Sequence, residues 1–183
     1  NVTRSEVDAA LALGFPLNGT EPELWPLGFK SAGRSIFREA GVPIPAGFED
    51  LTSVQEAVAA IDRLRAEDPG LAAVILKHDD SGAGDGNAVI RLDDLEPPGS
   101  GLSKRRLTSR INTLEAWYVA DLALGFVAEA RIQGTRFSSP SAQLDIAPDG
   151  SVVELETTDP GPFVAGFQFI HASADRDIRR IDL

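Results

Sequence analysis

Residues 74–90 read Val74-Ile75-Leu76-Lys77-His78-Asp79-Asp80-Ser81-Gly82-Ala83-Gly84-Asp85-Gly86-Asn87-Ala88-Val89-Ile90. An apolar run ends on a lysine, three aspartates and three glycines follow, and a second apolar run begins. Continuous apolar runs of this length predict buried strands over 71–76 and 88–92, joined by a glycine-rich loop. Gly82, Gly84 and Gly86 are spaced G-x-G-x-G and open a strand. A dinucleotide fingerprint opens a helix, and a phosphate loop ends in Gly-Lys-Ser/Thr before one, so neither fits. Asp79, Ser81 and Ala83 break the ligand alternation of a calcium hand, and one calcium-roll repeat has no neighbour to stack on. A strand–loop–strand flap remains. Its glycines leave room for backbone N–H groups to approach one anion, and Lys77 adds a mobile positive charge suited to a phosphate. Taken alone, the stretch also fits a solvated hairpin tip with Lys77 as an edge charge.

Working outward, Ser5-Glu6-Val7-Asp8 reads as a capping box, with Val7, Ala10 and Leu11 at helical spacing and Gly14 and Pro16 as the stop. Residues 16–29 read as a loop. A helix over Ser31–Ala40 sets Ile36, Phe37 and Ala40 on one face, and Gly41 ends it before an extended Val42-Pro43-Ile44-Pro45. Ser53-Val54-Gln55-Glu56 caps a helix that carries Val54, Ala57, Val58, Ile61 and Leu64 on one stripe. Residues 93–101 read as a Pro/Gly loop. One long helix is expected through Leu107, Ile111, Leu114, Trp117, Tyr118, Asp121 and Leu122, ended by Gly125. Strands are expected over 126–132, 141–147 and 151–157, with turns at Gln133-Gly134-Thr135 and Pro148-Asp149-Gly150. Helices followed by a run of strands predict an α+β fold with antiparallel sheet lobes, flanking helices and a glycine-rich flap. The expected division is an N-terminal segment over 1–47, a small lobe with the flap over 48–125, and a strand leading into a second lobe over 126–183.

Composition narrows the partners. The chain has 183 residues and a formal net charge of −11, a field that repels nucleic acid and anionic lipid. The basic run Lys104-Arg105-Arg106 reads as a solvated loop or helix start. Cysteine is absent, which excludes disulfides, a thiolate nucleophile and cysteine zinc sites. No apolar stretch approaches the 18 residues of a membrane span, and the expected setting is the cytoplasm. Because it opens on asparagine and has no methionine, the chain is expected to be an excised or incomplete piece.

The segment from Lys30 to Gly47, Lys30-Ser31-Ala32-Gly33-Arg34-Ser35-Ile36-Phe37-Arg38-Glu39-Ala40-Gly41-Val42-Pro43-Ile44-Pro45-Ala46-Gly47, follows the pattern K-x-x-x-R-x-x-F-x-x-x-G-V-P-x-P-x-G. That pattern resembles ATP-grasp ligases, and is most similar to the pheganomycin-type peptide ligases. The 74–87 stretch resembles the flap of the same subgroup, whose pattern ends S-G-x-G-N, with Asp85-Gly86 as added residues. Gly125 to Gly134 resembles the family's hinge strand, and Ser139 to Gln143 and Pro148-Asp149-Gly150 resemble further segments of that subgroup. The likeness runs over residues 5–157.

The resemblance implies an ATP-dependent carboxylate–amine ligase of the peptide type, acting through an acylphosphate on small-molecule or peptide carboxylates and amines. ATP and Mg²⁺ would be its cofactors. It has Lys30 reach the nucleotide from the helix start, Lys77 hold an α- or β-phosphate oxygen, and Ser81, Gly82, Gly84, Gly86 and Asn87 form the flap over the β- and γ-phosphates. Glu129 would accept from the adenine amino group, with the Arg131 and Ile132 backbone beside the base. The plainer alternative for Glu129 is an inward strand carboxylate paired to Arg131. Arg136 stands near where the family places a ribose-binding glutamate. The family's late Glu…Glu-x-Asn metal ligands have no counterpart in the sequence, so the metal ligands and the catalytic residues are left unassigned. Arg34 reads as a helix-surface or substrate-side charge, and His78 and His171 as surface or satisfied histidines. A non-catalytic module of the same fold, binding nucleotide or a partner protein, is the rival reading.

Overall fold

The computed structural model describes residues 2–17, 19–82, 84–132, 141–146 and 150–158. Helix α1 (Arg4–Leu13) starts ahead of the expected box. Thr3 is its cap: its hydroxyl oxygen accepts from Ser5 N at 3.2 Å, and Glu6 reaches back to Thr3 N at 2.7 Å. Gly14, at φ 68°, closes it. No residue of α1 is buried. A 3-10 turn over Pro22–Gly28 stands where a loop was expected, and leads into α2 (Lys30–Glu39). The face of α2 that turns inward is polar. Ser31 and Arg34 are buried while Ile36 and Phe37 are exposed, the reverse of what the apolar spacing predicts.

Strand β1 (Gly47–Leu51) has no counterpart among the sequence expectations. Helix α3 (Val54–Glu67) agrees with them down to its Ser53 cap, which accepts from Glu56 N at 3.3 Å. Strand β2 (Ala73–His78) and strand β3 (Asn87–Arg91) flank the glycine loop, so Lys77 and His78 lie within the strand rather than past its end. Helix α4 (Gly101–Asn112) begins at the last residue of the expected 93–101 loop, capped by Ser100, whose hydroxyl accepts from Ser103 N at 3.1 Å. The expected long helix is broken at 113–115, and α5 (Ala116–Asp121) follows, with a short 3-10 turn over Leu122–Leu124. The basic triplet lies within α4. Arg106 there donates to Asp94 O at 2.6 Å and pairs with Glu96 at 3.2 Å, holding the preceding loop.

Strand β4 (Phe126–Ala130) completes a four-stranded antiparallel sheet in the order β1-β4-β2-β3. Register pairs Ile75 with Glu129, Lys77 with both Val127 and Asn87, and Gly47 with Glu129. Alternation along the strands then separates two faces. Val74, Leu76, Ile90, Phe126 and Ala128 pack on Ala57, Ile61 and Leu64 of α3 and Leu107 and Ile111 of α4, which is the core. Lys77, Asn87 and Glu129 share the other face.

The chain divides into two compact units, residues 1–131 and 132–183. β4, expected at the head of the last lobe, pairs with β1 and β2 inside the first unit. In the second unit, β5 (Ser141–Ile146) and β6 (Val152–Thr158) form an antiparallel pair. The turn at 133–135, Arg136, Pro148-Asp149 and everything from Asp159 onward, His171 included, lie outside the described residues. No helix among the described residues is long and apolar enough to cross a membrane.

Candidate functional site

The site grows from the start of α2. Phe29, at the cap position, offers no side-chain acceptor, and Asp79 supplies one from across the fold. Its Oδ1 accepts from both Ser31 N and Ser31 Oγ at 2.8 Å. Ser31 Oγ in turn accepts from Asp50 N at 3.0 Å, and Asp50 sits at φ 57° where β1 breaks register. Asp79 N donates to Gly125 O at 3.0 Å. Gly125 has φ 117°, and a Cβ there would stand 2.8 Å from Asp79 Oδ2, so both backbone angle and space call for glycine. Asp79 thereby joins the end of β2 to α2 and to the residue before β4.

That joint aims Lys30 at the flap. Its Nζ donates to Ser81 O and Ser81 Oγ, both at 2.8 Å, while the Ser81 hydroxyl donates to His78 O at 3.0 Å. Half-burial, and next the charge of Lys77, hold the Lys30 ammonium below the usual lysine value. Asp79, Asp80 and Glu129 offset part of that effect.

Lys77 lies 2.5 Å from Glu129 Oε2, and Arg34 Nη1 lies 2.5 Å from Glu129 Oε1. Arg34 Nε donates to Glu49 Oε2 at 3.1 Å, its Nη2 donates to Pro45 O at 3.1 Å, and Arg38 pairs with the other oxygen of Glu49. Arg38, Glu49, Arg34, Glu129 and Lys77 thus form an alternating chain of charge running from α2 across β1 and β4 to β2. Burial would raise the Glu129 carboxyl, but the Lys77 charge, then its hydrogen bond and those from Arg34, outweigh it and hold the group below the ordinary value. Glu129 is an inward strand carboxylate whose partners are Lys77 and Arg34, not Arg131. Gly47 makes room for this. A Cβ there would come 2.5 Å from Ala128 O and 3.2 Å from Arg34 Nη2.

The flap itself is partly used up internally. Asp85 N donates to Gly82 O and Asn87 N to Gly84 O, each at 3.1 Å, so these two N–H groups turn onto the loop rather than toward an anion. Gly84 sits at φ 86°, and a Cβ on Gly86 would overlap the Ser81 side chain; nothing crowds Gly82. Tyr118 Oη lies 2.9 Å from Leu76 O and 3.2 Å from Gly86 O, pinning the base of the flap. His78 is a satisfied core histidine: its Nε2 is 3.0 Å from Tyr118 O, and its ring stacks on Tyr118 at 4.1 Å. Asn87, opposite Lys77, keeps a buried side-chain oxygen with no hydrogen-bond partner. Leaving such a group unpaired is costly, and it shares a sheet face with Lys77.

The fold has counterparts among solved structures. D-alanyl-alanine synthetase A from Vibrio cholerae O1 biovar eltor superposes with a TM-score of 0.55 at 11% identity, over 90% of this chain and 43% of that one. The fold is ATP-grasp-like. A D-alanine–D-alanine ligase from Bacillus anthracis gives a TM-score of 0.45 at 16% identity, over 87% of this chain and 50% of that one. The chain spans half or less of the length of the proteins it matches. At such identity the likeness concerns the fold alone. No family model matches the sequence.

Lys30, Lys77, Ser81, Asn87 and Glu129 are therefore brought onto or beside one sheet face. Arg131 contributes its backbone N–H to Ala73 O at 3.0 Å, and Ile132 opens the second unit. Among the described residues no three His, Asp or Glu side chains gather around one point. Sequence reasoning gave no site role to Glu49, to Gly47 at the end of the Lys30 motif or to Asp79, and left Arg34 open. The spacing of four between Lys30 and Arg34 was the available signal, since it sets both on one helix face.

Proposed function

We propose that this chain is the nucleotide-binding portion of an ATP-dependent carboxylate–amine ligase related to the pheganomycin-type peptide ligases. The observation that carries the reading is the convergence of two ammonium groups, Lys30 from α2 and Lys77 from the sheet, beside a glycine flap in an ATP-grasp-like fold. Each ammonium is held by a replaceable partner. Lys30 would exchange Ser81, and Lys77 would exchange Glu129, for phosphate oxygens, which are strong charged acceptors. Glu129 would then be free to accept from the adenine amino group. In the reaction proposed, the γ-phosphoryl group passes from ATP to a substrate carboxylate. An amine attacks the resulting acylphosphate at its carbonyl carbon, phosphate leaves with the bonding pair, and the nitrogen gives up a proton to water to leave the amide. The protein's part is positioning and charge stabilisation.

A thermal melt of the chain across Mg-ATP concentration tests the nucleotide site. A ligand bound by the folded state alone raises stability by about 2.7 kcal/mol at a hundredfold excess over Kd. The expected result is a concentration-dependent rise in Tm. No rise at millimolar Mg-ATP removes the reading. Phosphate release in the presence of carboxylates and amines then separates a ligase from a module of the same fold that binds nucleotide without turnover.

A further inference from the structure

We infer that Arg34 is a positioning residue that fixes the Glu129 carboxylate and so sets selectivity for a purine with an amino group, not a carbonyl, at ring position 6; this rests on the nucleotide reading above. The guanidinium is a rigid planar fork, and three of its nitrogens are already placed: Nε on Glu49, Nη2 on the Pro45 carbonyl, Nη1 on Glu129 Oε1. It is 5% exposed and has no room to swing. The absence of a side chain at Gly47 is what lets the fork lie against β4. Oε1 of Glu129 is thereby committed, and only Oε2 faces Lys77.

When Lys77 moves to a phosphate, Oε2 is left as a lone acceptor at a fixed place. A carboxylate accepts and does not donate. Adenine offers it an amino hydrogen, whereas guanine presents a carbonyl oxygen at the same ring position and is repelled. Arg34 also becomes the one remaining partner of Glu129 in the ion chain at that moment, and keeps a buried carboxyl ionised against the pull of desolvation. Without Arg34 the side chain would lose both its direction and its charge once Lys77 has left, and base selectivity with them.

The test uses the whole chain and three probes: Mg-ATP, Mg-GTP and Mg-tripolyphosphate, with Kd read by titration calorimetry. Wild type is expected to favour ATP over GTP. Arg34→Met should cut that preference by about tenfold, the loss of one charged hydrogen bond, with tripolyphosphate affinity unchanged. Arg34→Lys, which can still reach one carboxylate, should restore part of it. Arg34→Met leaves Glu129 with Lys77 and Glu49 with Arg38, which supports folding in the absence of nucleotide. Glu49→Gln loosens the fork from its far side, retains an acceptor, and should lower the preference if Arg34→Met fails to fold. An unchanged ATP-to-GTP ratio in a folded Arg34→Met protein, or in Glu49→Gln where Arg34→Met does not fold, overturns the inference and leaves the nucleotide site standing. A wild type that binds neither nucleotide overturns the nucleotide reading itself, and the inference with it.

Discussion

Glu129 and Lys30 are both perturbed, and the signs of their effects on stability differ. Glu129 titrates below the ordinary glutamate value of 4.5 in the folded protein. A carboxyl with a depressed folded value contributes stability that is present in full above the unfolded value and is lost as pH falls through the folded one. Glu129→Gln should therefore flatten the decline in stability below about pH 4.5. It should also cost about 3 kcal/mol at neutral pH, since Arg34 and Lys77 lose a buried counter-charge. Urea titrations between about pH 3 and pH 7 measure both, spanning the carboxylate range. An acid limb identical to wild type would mean that the other lowered carboxyls account for it: Glu49, held low by Arg38 and Arg34 against the raising effect of its burial, and the helix-cap glutamates Glu6 and Glu56. Lys30 is the opposite case. A lysine whose folded value is depressed penalises the folded state below that value, and the penalty is relieved as pH rises from it to the unfolded value, so its charge works against the folded state at neutral pH. Lys30→Met should leave the Tm of the nucleotide-free protein level or higher while removing the shift produced by Mg-ATP. A fall in the nucleotide-free Tm would show instead that the two bonds to Ser81 hold the fold.

At the scale of elements, the site depends on one long-range cap. Asp79→Ala strips the acceptor from Ser31 N and Oγ at the start of α2, and should cost about 1–2 kcal/mol, the range of a lost helix cap. Asp79→Asn, which keeps a side-chain oxygen, should cost less. Gly125→Ala should match or exceed the alanine variant at Asp79, because it combines a positive φ with a clash on the same carboxylate. Equal stability of all three to wild type, measured by denaturant midpoint, would remove Asp79 as the joint. This element also shows where the sequence stopped being legible. Local signals served well: the Ser53 cap, the α3 stripe and the two strands around the glycine loop followed from spacing. The pairing of Glu129 with Lys77 and Arg34 did not, since the sequence offered Arg131 as its partner. The inward face of α2 did not, because periodicity shows which residues share a face and not which face is buried. There the sheet offers Glu49 and Glu129, so the arginine turns in and Ile36 and Phe37 turn out. Strand β1 was hidden because Gly47-Phe48-Glu49-Asp50-Leu51 has no clean alternation, and its pairing with β4 joins segments far apart in sequence. The long helix was expected in one piece because apolar spacing continues through Thr113-Leu114-Glu115, while the backbone does not.

Across the whole molecule, the core and the ion chain lie in the same unit. Among the described residues, the buried hydrophobic cluster falls between Ala57 and Ala128, and the charged chain from Arg38 to Glu129 lies within residues 1–131 as well. A domain of that size buries enough apolar surface to fold alone. Residues 1–131 expressed by themselves should therefore unfold in one cooperative transition, with calorimetric and van't Hoff enthalpies in agreement. Lys30, Lys77, Asn87 and Glu129 are all retained, so the rise of Tm with Mg-ATP should be retained too. A broad, non-cooperative melt would mean that residues 132–183 complete the core. A cooperative melt without response to Mg-ATP, from a piece whose parent chain does respond, would place the affinity for nucleotide in residues after Arg131, and the meeting of the two lysines in the first unit would then be a structural arrangement only.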